Sequence, residues 1–377
     1  MSWRLLINGT ILNNPYPTGL GVYTANLLIP LIKRVCNNDE IREVALIGLS
    51  SRLTERLESA VEEPKVRIIE CPSIGAISRI IRLNLTSFKE RRKGQCLFYS
   101  PTHHGVRTSG MTQIITIHDL FARLFPLNYR AQHLYFKYYL PGVLRRCHRV
   151  ICVSDSTAHD LHSFYPYSPE TITVYESVRS DLEGIEPKPF PSLSGKPYFL
   201  FVGPNYWYKN GERLIDAYRK YRQQGHDGLL VFAGGRDPYT HLLQSHIRNG
   251  CPGLAGDIIF LGYVNAPELV WLYKHATALM LTTLYEGFGL PALEAMKLGC
   301  PVVASKTGSL PEVCGNAAAF INPYQSDDIT AAMVRISSET GFRGDLIYRG
   351  GVNCRRFSWD TAAEQVYQVI TEAGQIL

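Results

Sequence analysis

The chain has 377 residues, enough for two domains, and its 45% hydrophobic and 19% charged content excludes a disordered chain. Its net charge of +6 is uneven: residues 1–182 carry 22 Lys+Arg against 15 Asp+Glu, the remainder 17 against 18. The basic front half fits an anionic membrane face, a phosphate-bearing substrate or an ordinary basic surface. Nine scattered cysteines with no CxxC argue against a disulfide frame or zinc site and for reduced, buried thiols in the cytoplasm. The opening MSWRLLINGTILNN reads as a strand and loop rather than a signal peptide, and no apolar run reaches the ~18 residues of a membrane span.

Short apolar runs alternate with amphipathic stretches along the whole chain. Strands are expected at 4–8, 44–49, 66–69, 97–100, 113–117, 149–153 and 171–174, with helical patterns at 20–35, 76–91, 132–147 and 155–164. The Pro-, Gly- and Ser-rich stretch 183–197 reads as an interdomain linker. The alternation then restarts. Strands are expected at 198–202, 229–233, 258–262, 278–281, 301–305 and 318–321, and helices at 210–223, 266–275, 291–298 and 326–338. Near-continuous apolar strands with helices between them mean parallel sheets covered on both faces. The expected fold class is therefore α/β, with two Rossmann-like domains facing an interdomain cleft. The first is 1–182, with helix 359–377 packing back on it, and the second is 198–358. Ligands of such sheets bind beyond the carboxyl ends of the strands.

The stretch TTLYEGFGLPALEAMKLGCP (282–301) places Glu286 and Glu294 eight residues apart, with Gly287-Phe288-Gly289 after the first. Pro291 suits a first helical turn, so the glycines lie at a helix N-terminus, where Gly287, Phe288, Gly289 and Leu290 can present amides to a phosphate. A carboxylate accepts from hydroxyls. Amides and acids together fit a ligand with a diphosphate between hydroxyl-rich sugars.

The E-x7-E block, written EGFGLPALE, with AMKLGCPVVASKTGSLPEV after it, resembles the signature of glycosyltransferase family 4, retaining transferases of GT-B fold. The likeness covers nearly the whole chain. TGLGVYTANLL (18–28), TIHDLFARLFPLNY (116–129), VSDSTAHDLHSFYP (153–166) and YFLFVGPNYWYKN (198–210) are similar to further family blocks in the same order. The His-Asp segment resembles especially that of mannosyl- and rhamnosyltransferase-like members.

The resemblance implies roles for particular residues. Glu286 would contact the donor sugar and Glu294 the ribose. Gly19 and Gly21 would lie near the diphosphate, with Lys209 and Asn205 on the leaving group and the nucleobase near Tyr263 and Val264. His118 would meet sugar or acceptor through its ring or its carbonyl, with Asp119, His103 and His104 on the acceptor side. The family commonly has Arg where this chain has Tyr208, which leaves Lys209 as a lone cation. The chain has no Asp-x-Asp motif, so no metal is expected. No cofactor is expected beyond the substrate, GDP-mannose or a UDP-sugar.

The expected function is retaining transfer of a hexose, with mannose favoured, to a glycan or lipid-linked saccharide, in the cytoplasm or at the inner face of a membrane and without nucleic acid. A non-catalytic sugar-nucleotide-binding subunit and a GT-B sugar-nucleotide epimerase are the alternatives. The segment 74–93 has apolar residues at 74, 77, 81, 85 and 88 with Arg79, Arg82, Lys89, Arg91, Arg92 and Lys93 mostly off that stripe. It reads either as a core-packed helix with a solvated face or as a basic helix for an anionic membrane.

Overall fold

The apolar runs form two parallel sheets in a computed structural model that describes residues 2–14, 18–72, 75–182, 184–203, 206–235 and 238–377 (for Ser59, the backbone alone). The chain divides into two units, Met1–Glu176 with Phe357–Leu377, and Ser177–Arg356. The first holds β1 (Trp3–Asn8), β2 (Ile41–Gly48), β3 (Val66–Glu70), β4 (Cys96–Ser100), β5 (Thr112–Ile117), β6 (Cys147–Cys152) and β7 (Thr171–Thr173), ordered β3-β2-β1-β4-β5-β6-β7. The second holds β8 (Tyr198–Val202), β9 (Leu229–Ala233), β10 (Ile258–Gly262), β11 (Ala278–Leu281), β12 (Val302–Ser305) and β13 (Ala318–Ile321), ordered β10-β9-β8-β11-β12-β13. Both sheets are Rossmann-like, and each reverses its strand order once, between β1 and β4 and between β8 and β11. The crevice at such a reversal is where open α/β sheets hold ligands.

The central strands read as apolar runs because helices cover both faces. β1 is buried along its whole length, and Phe199, Phe201, Leu230 and Phe232 sit in the second core with Leu214, Tyr218 and Leu243 from the helices. The C-terminal helix Trp359–Gly374 is part of the first unit. Arg34 pairs with its Asp360 and Glu364 at 3.2 and 3.1 Å, and Gly374 lies so close to the Trp3 indole that no side chain would fit there.

Three expectations need correction. The stretch 183–197 is not a free linker. It belongs to the second unit, where Leu193 is buried, Phe190 packs near Trp271 and Lys188 pairs with Glu268 at 2.7 Å. Its apolar residues have a surface to cover, which its prolines obscured. The pattern at 132–147 is helical only as far as 144, and not as a regular α-helix. Arg130–Leu134 passes through a wider turn at Tyr135–Tyr139 into Leu140–Leu144, and Cys147 already opens β6. Pro141 has no N–H to continue the regular ladder, which fits the widened turn just before it. The stripe on Ala76–Arg91 is not core-packed. Ile77, Ile81, Leu85 and Phe88 are 74, 53, 55 and 52% exposed, and Leu83, Ser87 and Glu90 are buried instead. Position 74 lies outside the described residues.

Candidate functional site

The reversal point of the second sheet brings two predicted residues together. Lys209 closes a short turn after β8, Glu286 follows β11, and Lys209 Nζ lies 2.7 Å from Glu286 Oε1 with both side chains nearly buried. The turn is fixed by its neighbour Asn210, which sequence reasoning assigned no role. Asn210 takes a left-handed conformation at φ +66. Its buried side chain donates to the Thr282 and Pro323 carbonyls at 2.9 and 2.8 Å. The Leu284 amide donates to the Tyr208 carbonyl at 2.7 Å, tying turn to strand end.

The other side of the Glu286 loop is held by the segment after β12. Ser309 Oγ donates to the carbonyls of Glu286 and Phe288 at 3.0 and 2.8 Å. Gly308 lies at φ +54, and a Cβ there would come 2.6 Å from the Glu286 carbonyl oxygen. Gly289, at φ +101, caps the helix Leu290–Lys297, and a Cβ on it would meet Leu310. The loop 286–289 is thus clamped at its backbone, leaving Lys209 to meet the Glu286 carboxylate. Asn205 lies outside the described residues.

Glu294 is almost fully buried in that helix and accepts a 2.9 Å hydrogen bond from Tyr273 Oη. Burial raises its pKa above the ordinary carboxylate value, nearby Arg179 and the Tyr273 bond oppose the shift, and Asp181 adds to it. Arg179 is itself forked onto Asp181 at 2.9 and 2.6 Å. Tyr273, Arg179 and Asp181 were missed because they come from a helix face and a loop with no motif of their own. Tyr263 and Val264 follow β10, the edge strand, with the Tyr263 side chain exposed. They stand three strand spacings from β11, roughly 14 Å.

In the first unit His118 and Asp119 end β5. The His118 ring is not free to act as a base. Its Nδ1 lies 2.9 Å from Glu176 Oε1 and its Nε2 2.9 Å from the Pro101 carbonyl. Donation from both ring nitrogens, to the Glu176 carboxylate and to the Pro101 carbonyl, favours the imidazolium, since the neutral ring has only one N–H. Burial lowers its pKa, but the Glu176 hydrogen bond and charge, the Pro101 carbonyl and Asp119 together outweigh that and raise it. Tyr23 packs edge-on against the ring at 4.3 Å. The His118 carbonyl accepts from Thr157 Oγ1 at 3.3 Å. Asp119 accepts from the Phe121 amide, a local turn contact.

His103 and His104 follow β4 with ring centroids 4.2 Å apart. Burial, with the His118 and Arg79 charges, pushes His103 down to about 3. His104 is lowered likewise by burial, His103 and Arg79. Asn8, at the end of β1, donates to Ser100 Oγ and to the His104 carbonyl at 3.0 and 3.2 Å. Gly19 and Gly21 are not in a loop. They form the first turn of the helix Gly19–Cys36, and the Gly21 amide is taken by the capping Thr18 Oγ1 at 3.2 Å. That removes one donor expected to face a diphosphate.

Two family models match the chain, one described as glycosyl transferases group 1 over residues 185–351 and one as Glycosyltransferase Family 4 over residues 98–176. An O-antigen chain mannosyltransferase of Salmonella typhimurium is 30% identical over 275 residues, 72% of each chain. An O-antigen chain mannosyltransferase of Escherichia coli is 28% identical over 261 residues, 67% of this chain and 68% of that one. The structure of a sucrose-phosphate synthase from Thermosynechococcus elongatus, 18% identical, matches all of both chains with a TM-score of 0.76. With its two Rossmann-like units and its E-x7-E block, the chain belongs to glycosyltransferase family 4 and has the GT-B fold.

Proposed function

We propose that the protein transfers mannose from GDP-mannose, with retention of anomeric configuration and without a catalytic metal or cofactor, to a glycan or lipid-linked saccharide at the cytoplasmic face of a membrane. The observation that carries this reading is the Lys209–Glu286 pair clamped at the reversal point of the second sheet. It sets a cation beside a hydroxyl-accepting carboxylate at the carboxyl ends of parallel strands, as a sugar diphosphate requires. The two mannosyltransferase relatives support the choice of sugar.

In this reading the bond from the anomeric carbon to the diphosphate breaks as the acceptor oxygen bonds to the same face. The acceptor proton passes to the departing phosphate oxygen. Negative charge grows on the diphosphate, where Lys209 and the amides of Gly287–Leu290 offset it. Glu286 accepts from the sugar hydroxyls and Glu294 from the ribose, with the base near Tyr263 and Val264. Ribose hydroxyls would favour the ionised form of Glu294, which burial disfavours. In the first unit His118 acts as a positioning residue, its ring committed to Glu176 and Pro101. His103, His104 and Asp119 serve the acceptor.

Thermal shift against GDP-mannose, UDP-glucose, UDP-N-acetylglucosamine and dTDP-rhamnose tests the donor. A ligand at 100 times its Kd should stabilise by about 2.7 kcal/mol. GDP-mannose should shift the wild type, and Glu294→Ala should lose that shift. A shift that survives in the variant, or another donor preferred, overturns the assignment. An inverted product by NMR would overturn retention, and loss of turnover in chelator would overturn metal independence.

A further inference from the structure

We propose that the helix Ala76–Arg91 is a docking surface for an anionic phospholipid bilayer. Ile77, Ile81, Leu85 and Phe88 fall at i, i+4, i+8 and i+11, so they share one stripe along the helix. All four are more than half exposed. The opposite side is the one that packs inward, through Leu83, Ser87 and Glu90. An ordinary surface helix does the reverse, burying its apolar stripe and turning its charges to water.

The charges on this helix sharpen the point. Its one acid, Glu90, is turned inward and spent on Arg4, Arg67 and Lys93 at 2.7, 2.9 and 2.6 Å. Arg82, Lys89, Arg91 and Arg92 are all exposed. Arg82 and Lys89 follow one border of the stripe and Arg91 lies on the other, while Arg92, capping the helix, continues the line of the stripe with its guanidinium 5.9 Å from the Phe88 ring centre. What faces outward is therefore an apolar centre with a cationic rim and no acid, the arrangement of a helix lying in a membrane interface. Sixteen residues make it about 24 Å long.

A neighbouring element packs beside the helix. Asn84 donates to Tyr139 Oη at 2.8 Å and accepts from the Arg107 amide at 2.7 Å, and the Arg107 guanidinium donates to the carbonyls of residues 138 and 139. On that element Leu134 and Tyr138 are 54 and 62% exposed. An exposed tyrosine beside aliphatic side chains suits the headgroup level. Among the described residues no helix is long and apolar enough to cross a membrane, so the contact proposed is peripheral.

Charge decides the occupant. A second copy docking through the same patch would set cations against cations, because a two-fold interface pairs a surface with itself. An anionic headgroup layer complements the rim and accepts the stripe. The surface deepens the membrane-side part of the proposed function, and its test needs no transfer activity, so donor binding and membrane binding fail separately.

Co-sedimentation of the purified full-length protein with vesicles is the experiment. One set is phosphatidylcholine alone, the other phosphatidylcholine mixed with phosphatidylglycerol. The protein should sediment with the anionic vesicles, and less so as salt rises. Ile81→Asp with Leu85→Asp should weaken binding on the order of 100-fold. Arg82→Glu, Lys89→Glu and Arg92→Glu together should weaken it by at least roughly 100-fold, from about 1 kcal/mol per cation lost. Both variants should keep the wild-type melting temperature and donor shift, because only exposed side chains change. Absence of binding to both vesicle types overturns the proposal. So does equal binding to both with the charge variant unaffected. A concentration-dependent dimer dispersed by the Ile81→Asp, Leu85→Asp variant, with no lipid binding, would assign the stripe to a second copy instead.

Discussion

The two sheets reverse their strand order in the same way, yet the side chains gathered at the two reversal points differ in kind. In the second unit the ends of β8 and β11 carry a lysine and a glutamate in direct contact. In the first, the ends of β1 and β4 carry Asn8, Ser100, Thr102 and His104 in a neutral network, with His103 held uncharged beside it. Topology supplies the crevice, and the residues placed there choose its chemistry. A paired cation can turn to a phosphate when one arrives. A network of hydroxyl, amide and uncharged imidazole groups suits exchange with the hydroxyls of a saccharide.

If the second crevice works through charge, removing charge without changing shape should cost most. Lys209→Met and Glu286→Gln should each lower kcat by about 10²–10³, the range for losing a group that stabilises developing charge or grips the reacting sugar. The double variant should lose less than the product of the two, because the pair acts as a unit. Additive losses, measured on initial rates with the confirmed donor, would separate the two residues. Equivalent changes in the first crevice, such as Asn8→Leu, should act on acceptor KM.

A smaller effect tests whether the clamp on the loop matters apart from the ion pair. Gly308 and Gly299 both have positive φ, +54 and +74, so alanine strains the backbone at either site. Only Gly308 also has the Glu286 carbonyl oxygen 2.6 Å from the new Cβ, while nothing lies within 4 Å at Gly299. Gly299→Ala should cost about 1–2 kcal/mol of stability and leave turnover alone. Gly308→Ala should cost more and should also lower turnover, since the Glu286 backbone has to move. Equal behaviour of the two in urea melts and rate assays would remove the clamp from the account.

The two crevices were not equally legible in the sequence. Every strand was readable: the central ones are buried on both faces and so apolar throughout, and the edge strands β3 and β7, only half-buried, still keep short β-branched runs. β2 starts earlier than expected only because Arg42 and Glu43 lie in its polar first turn of pairing. Helices Ser50–Leu57, Pro238–Gly250 and Thr340–Asn353 were not foreseen. The last carries four glycines, which mask its periodicity. Glu286 and Glu294 stood out by spacing, but the partners that set their behaviour come from far along the chain. Lys209 is 77 residues from Glu286, Tyr273 is 21 from Glu294, and Glu176 is 58 from His118. Glu176 left only the faint signal of a lone acid just past a strand end.

The half-buried His103 and His104 and the buried His118 give the smallest effect, and it is read from stability against pH. His103 and His104 have folded pKa values below the ordinary 6.5. Below pH ~6.5 the unfolded chain binds protons that the folded chain refuses, so stability falls as pH falls, until His103 itself titrates. His118 runs the other way. Its folded pKa is raised, so its contribution is complete below ~6.5 and is lost as pH rises through the folded value. Urea melts across pH should therefore show a variant of His103→Gln with His104→Gln that differs from wild type only in a shallower acid limb. Glu176→Gln removes the carboxylate responsible for the His118 shift and should flatten the alkaline limb instead. A common change in both limbs for both variants would mean that the three imidazoles titrate as one coupled group, and the neutral character assigned to the first crevice would fail.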